Sequence, residues 1–395
     1  MKRALMTMLI CVFSIASAAQ SETEKQLVLM VGGDVQWSIG AGTNDVYYDN
    51  PDPKEGDWRP IPYLNNQQGR SHLTQELGLE LETPRSRTVQ PHTIPLEFDS
   101  IQEHVRFPFQ RIAPVLREAD ITYVNLENPL STRGRRQGAF RAPPELAEAV
   151  RWAGIDVVSI ANNHMLDAGE QGLFDTMENL WRAGVGFVGG GRNLEDARRP
   201  FIIERNGLKI AFLGYAHFIN VVEDRGFARP DRSGLAPMDP FAIKEDIGRV
   251  REQVDYVAVA IHWGMSDKFE VYPENRKLAH EIIDAGADLV LGGHPPNPVG
   301  IEVYKGKVII YSPGHLLFGY NRTFWKNDHL VRITLTPEKI SKLEILPIAG
   351  EGNDLAQPYL LSGGPARQLL EFLQSRMATL GTRLDIDGDT GVVTP

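Results

Sequence analysis

Residues 289–300 read LVLGGHPPNPVG. The opening apolar run, with β-branched Val290 inside it, has the length and composition of a buried strand. The prolines that follow cannot continue a helix or a central strand. His294 therefore stands just past the end of a strand, on a stiff platform. A lone imidazole there is either a buried, hydrogen-bonded structural residue or a group facing a metal or an anion across a crevice.

The same pattern recurs along the chain. The runs QLVLMVG (26–32), ITYVNL (121–126), DVVSIA (156–161), KIAFLGYA (209–216), YVAVAIHWG (256–264), ADLVLGG (287–293) and KVIIYS (307–312) all read as strands. Amphipathic segments separate several of them: PELAEAVRWAG (144–154), EQGLFDTMENLWRAG (170–184) and PENRKLAHEIIDAG (273–286), each stopped by a glycine. Strands alternating with helices define an α/β protein. Ligands in such folds bind outside the carboxyl ends of the strands. Those ends carry Asp34, Glu127, Asn163 with His164, His217, His262, His294 and His315. One histidine so placed is commonly structural, but seven polar positions at one topological edge argue for a functional edge.

Composition narrows the classes. The 395 residues, 42% apolar and 23% charged, suit one large globular domain with additions. MKRALMTMLICVFSIASAAQ opens with Lys2 and Arg3, continues apolar and reaches small residues at Ala16-Ser17-Ala18, which reads as a signal peptide over 1–19. Its removal takes the formal charge from −10 to −12 and removes Cys11, the sole cysteine. A periplasmic or secreted chain without thiol chemistry is expected, not a nucleic-acid binder, since phosphate contacts need clustered Lys and Arg. No later stretch is long and apolar enough to span a membrane. The domain is expected over 26–348, with a long polar insertion at 43–98 that reads as a lid or a disordered loop. Residues 349–395 read as a C-terminal helix, apolar along Leu369, Leu370, Leu373, Met377 and Leu380, and a hairpin, both packing on the domain.

Imidazole, carboxylate and amide oxygen without thiolate suit manganese, iron, zinc or magnesium. Carboxylates beside an Asn-His pair are also what a two-metal phosphoryl site uses. GxSxG and Walker A motifs are absent, and VGGGRN (188–193) is not GxGxxG. Arg133, Arg135, Arg136 and Arg141, shortly after Glu127, are candidates to hold an anionic substrate, Arg141 foremost. Asp167 and Gly169 are placed to shape the turn after His164 and orient its ring.

GGDV (32–35), NLENPLS (125–131), FRAPPE (140–145), ANNHMLDAG (161–169), AIHWG (260–264), GADLVLGGHP (286–295) and YSPGHLLFG (311–319), in this order, resemble the CapA family of capsule and poly-γ-glutamate synthesis proteins. That family is related to the calcineurin-like metallophosphoesterases. The resemblance implies their four-layer α/β/β/α sandwich. It also implies metal-site positions at Asp34, Glu127, Asn163, His164, His262 and His294. Three departures stand out. Gln36 replaces the histidine of the phosphoesterase Asp-x-His pair, Pro296 replaces a second histidine two places after His294, and His315 stands where the family has Asn.

Two functions follow from the resemblance. One is hydrolysis of a phosphoester or amide, using Mn, Fe or Zn, with His262 or His217 managing protons and Arg141, Arg133 or His315 contacting substrate. The other is non-catalytic binding of an anionic polymer, alongside membrane-bound exopolymer synthesis proteins. Two ions, one or none all remain open at this stage.

Overall fold

The computed structural model describes residues 25–37, 99–133, 140–218, 226–264, 269–318, 327–349 and 357–395. Residues 1–19, read above as a signal peptide, the stretch 43–98, and Arg135 with Arg136 lie outside the described residues.

Two mixed sheets carry the fold. The first is built on four parallel strands, β1 (Leu27–Gln36), β2 (Ile121–Leu126), β3 (Val157–Ser159) and β4 (Gly186–Val188). Beyond β1 it continues antiparallel through β14 (Asn327–Leu335), β15 (Ile340–Ala349) and the hairpin β17 (Asp385–Asp387)–β18 (Thr390–Val393). Short β13 (His315–Phe318) pairs parallel with the end of β1, and β16 (Tyr359–Leu360) pairs with β15. The second sheet runs in the order β11 (Gly300–Tyr304), β12 (Lys307–Ser312), β10 (Leu289–Gly293), β9 (Tyr256–His262), β7 (Leu208–Ala216), β6 (Phe201–Arg205). Its four central strands are parallel. A two-residue ribbon, β5 (Gly190–Gly191) with β8 (Gly234–Leu235), completes the set.

Side-chain alternation along these strands explains the layers, since successive residues face opposite sides of a sheet. Leu29, Val31, Ile121, Tyr123 and Val157 of the first sheet share a core with Ile210, Phe212, Ala258, Ala260, Leu289 and Leu291 of the second. The alternate residues Met30, Val124, Leu126 and Val158 pack on the other side, against helices Leu146–Ala153 and Gly169–Ala183. Ala211, Leu213, Val257, Val259 and Val290 pack against helices Pro240–Val250 and Pro273–Asp284. The result is the α/β/β/α sandwich. Strands buried on both faces are continuous apolar runs, which is why they were legible in the sequence. Gly154 and Gly184 end the two helices on the first sheet in the left-handed conformation that the absence of Cβ permits.

Helix Gly364–Thr379 sets Leu369, Leu370, Leu373 and Met377 into the inter-sheet core. The segment LDIDGDTGVV (384–393) forms the β17–β18 hairpin with Gly388 at positive φ. No helix among the described residues is long and apolar enough to cross a membrane.

Candidate metal centre

Strand parity delivers the polar residues to one place. On β9, Ala258 and Ala260 face the inter-sheet layer, so His262 does too, at the strand's last position. On β2, Tyr123 faces that layer, and Asn125 and then Glu127 follow at period two. Strand β1 breaks parity. Met30 and Val35 both face the helices, and the register shifts between Val31 and Asp34. This irregularity turns Asp34 inward, where an unbroken strand would turn it out. Gly33 permits it, because a Cβ there would meet the Gly314 carbonyl at 1.9 Å. Gly293 serves at the facing strand end, where a Cβ would lie 3.0 Å from Asp34 Oδ1 and 3.6 Å from His262 Nδ1.

Glu127, His262 and His294 form the centre, each offering one ligand atom within 4.8 Å of the others. Two ligand atoms on one zinc ion, at bonds of about 2.0–2.2 Å, lie at most ~4.4 Å apart. The cluster therefore has the donor types and approximate spacing of a candidate cation site. His262 Nε2 is 2.7 Å from Asn163 Oδ1 and 3.4 Å from Glu127 Oε1. Asp34 accepts from Asn125 Nδ2 at 2.9 Å and from the His294 backbone N–H at 3.2 Å. His294 has φ 94°, a left-handed conformation rare for a side chain bearing a Cβ. Its ring packs edge-on to His262 and to Phe218, with centroids 4.9 and 4.7 Å apart.

His164 flanks this centre. Its Nδ1 lies 2.8 Å from Asp167 Oδ2, which also accepts the backbone N–H of Phe140 at 2.7 Å. The Phe140 ring stacks on His164 at 3.9 Å. Asp167 thus fixes both the imidazole and its aromatic cover. His315 sits opposite Asp34 in the β1–β13 register, is buried, and stacks on Phe318 at 4.0 Å. His217 is exposed at the rim, and its backbone N–H donates to the His262 carbonyl. Arg141 is half-buried next to Phe140. Arg133 is engaged by Asp175 of helix Gly169–Ala183 through both Nε and Nη2. Gln36 is buried two residues beyond Asp34, and its Oε1 has no hydrogen-bond partner among the described residues.

Burial governs the electrostatics. It pushes the Asp34 carboxyl up to about 7, against the pull of the Asn125 and His294 hydrogen bonds. Burial, with the charges of Asp34 and Asp167, holds Glu127 well above the carboxylate range. The imidazoles move the opposite way, because burial and neighbouring histidines disfavour their cations. His262 falls well below its ordinary value, His294 to about 4 and His315 to about 3. The centre thus presents neutral imidazoles beside two acids. Among the described residues, neither Asp34 nor Glu127 has a Lys or Arg ion-pair partner. Nitrogen and carboxylate donors with uncompensated acid fit a divalent cation.

Sequence reading passed over Asn125 and Asn162, which join the site from behind. Asn125 was findable, since it precedes Glu127 by two on a strand and so shares its face. Asn162 gives no such signal.

The sequence places the chain in a family of known proteins. The family described as Bacterial capsule synthesis protein PGA_cap matches residues 68–320, and the chain belongs to it. Among individual relatives, the PGA biosynthesis protein CapA of Bacillus subtilis is 32% identical over 247 residues, 61% of this chain and 64% of that one. The capsule biosynthesis protein CapA of Bacillus anthracis is 30% identical over 253 residues, 61% of each chain. The chain thus matches under two thirds of the length of these two relatives. A probable polyglutamine synthesis accessory protein of Mycobacterium tuberculosis is 28% identical over 344 residues, covering 82% of this chain and 84% of that one. Among solved structures, the calcineurin-like phosphoesterase YfkN of Bacillus subtilis aligns over 85% of this chain and 88% of that one, with 14% identity and a TM-score of 0.38.

Proposed function

We propose that this chain is an exported hydrolase of capsule or poly-γ-glutamate polymer production, acting on a phosphoester or amide of an anionic polymer. One observation carries the reading: Glu127 converges with His262 and His294, Asp34 adjoins them, and neither buried acid has a Lys or Arg partner among the described residues. Glu127, His262 and His294 would hold the cation, with Asp34 and Asn163 adjoining. A divalent ion supplies Lewis-acid charge and makes water nucleophilic near neutral pH. His217, exposed at the rim, would move protons to and from solvent. Arg141, His315 and the aromatic cover of Phe140 would orient substrate, and Arg133 would join only by leaving Asp175.

Elemental mass spectrometry of the purified protein tests the centre. The expected result is about one equivalent of manganese, iron or zinc, lost together with turnover in Asn163→Ala and in His164→Ala. Variants that hydrolyse as fast as the parent sink the proposal.

Pro296 favours a second reading, because it stands where the resemblance implies a second imidazole two places after His294. In it the crevice binds an anionic polymer, alongside membrane-bound synthesis proteins, without cleaving it. Binding would then survive chelation and weaken with salt.

A further inference from the structure

The amides behind His262 form a closed relay whose polarity follows from its backbone anchors. Asn162 Oδ1 accepts the His164 backbone N–H at 3.1 Å, and Asn162 Nδ2 donates to the Leu126 carbonyl at 2.8 Å. A backbone N–H can only donate and a carbonyl can only accept, so this side chain has one allowed orientation. Its second N–H donates to Asn125 Oδ1 at 3.2 Å. That contact fixes Asn125 in turn: its Nδ2 donates to Asp34 Oδ1 at 2.9 Å and faces His262 Nδ1 at 3.4 Å. Each amide then uses both N–H groups and its oxygen. Across the ring, His262 Nε2 faces two oxygens, Asn163 Oδ1 at 2.7 Å and Glu127 Oε1 at 3.4 Å.

A neutral imidazole whose Nδ1 faces a fixed N–H donor must accept there, which leaves its own proton on Nε2. We propose that Asn125, set by Asn162, is a positioning residue that holds His262 with its proton on Nε2. The consequence rests on the metal reading above. The proton occupies the nitrogen facing Glu127, so a cation bound through Nε2 must displace it. Moving that proton to Nδ1 needs an acceptor there, and Asn125 presents an N–H. The relay therefore opposes loading through Nε2 unless Asn125 turns over, which would break its bonds to Asp34 and Asn162. Ligated histidines commonly have the opposite arrangement, with the far N–H donated to an oxygen.

The test is ¹⁵N NMR of the full chain labelled at histidine, stripped with chelator and held at pH 8, where His262 is neutral. The His262→Gln spectrum identifies the resonances. The wild type should carry the proton on Nε2. In Asn125→Asp, an oxygen replaces the nitrogen at Nδ1 and the proton should move there. A wild-type ring protonated on Nδ1 overturns the proposal even if no variant folds. So does a folded Asn125→Asp that keeps the Nε2 proton. Because the measurement is made without metal, a failed tautomer assignment leaves the hydrolase reading standing. Absence of metal or turnover, conversely, leaves the tautomer standing.

Discussion

Metal uptake at this centre should be driven by carboxylate ionisation, and the structure sets its size. With Asp34 pushed up to about 7, the carboxyl is mostly protonated at pH 6 and mostly ionised at pH 8. A cation binds the ionised form, so proton and metal compete. Affinity must fall as pH falls through 7. For one such group the loss between pH 8 and pH 6 is about tenfold, or ~1.4 kcal/mol. Glu127, also raised by burial, steepens the loss. The imidazoles add nothing across this window, because His294 at about 4 and His262 well below its ordinary value are already neutral. Calorimetric titration with manganese at pH 6, 7 and 8, in buffers of different ionisation heat, reads affinity and proton release together. Asp34→Asn should bind more weakly at pH 8 and lose about a tenfold share of the slope. Affinity flat from pH 6 to 8 with no proton released would refute the reasoning. So would a slope that survives intact in Asp34→Asn and disappears in His294→Gln.

Three further outcomes concern the frame around the site. His329 is buried, has no hydrogen bond at either ring nitrogen among the described residues, and is pushed down to about 3 by burial. Its contribution to stability is complete above pH 6.5 and is lost as pH falls toward 3, by about 2 kcal/mol at pH 5; urea unfolding at pH 7.5 and 5.0 should show His329→Phe losing that much less than wild type, and equal losses would contradict it. Gly33→Ala puts a methyl group on the Gly314 carbonyl, so it should displace the β1 irregularity and abolish metal uptake, read by elemental analysis of the folded variant. Leu373→Ala empties part of the inter-sheet core under the C-terminal helix and should cost about 2–5 kcal/mol in urea unfolding while leaving metal content unchanged.

What the sequence disclosed follows from burial. Strands buried on both faces read as unbroken apolar runs, so β1, β2, β3, β7, β9, β10 and β12 were visible with ends accurate to a few residues. The antiparallel extension β14–β15 was not singled out. Its residues NDHLVRITL and ISKLEILPIA interleave charge with apolar side chains, and Asp328 and His329 are buried despite their polarity. The site was legible as residue types at strand ends. The feature that turns Asp34 inward was not, because GG before an aspartate reads equally well as a turn.

Two positions where the sequence departs from what the resemblance implies lie close together in the structure. Gln36 follows Asp34 by two on the inward face of β1, and Pro296 follows His294 by two beyond β10, so both alter the ends of strands that meet at Asp34. The opposite side, Glu127, Asn163, His262 and His164, keeps its donors and is held by hydrogen bonds that Asn162 and Asp167 complete. The cluster of Glu127, His262 and His294 spans the two sides, since His294 stands just past the end of β10. This gives the Asn125 relay its significance. That relay runs from the retained side to Asp34 on the altered one, so the hydrogen bond that holds Asp34 belongs to the same network that sets the proton on His262.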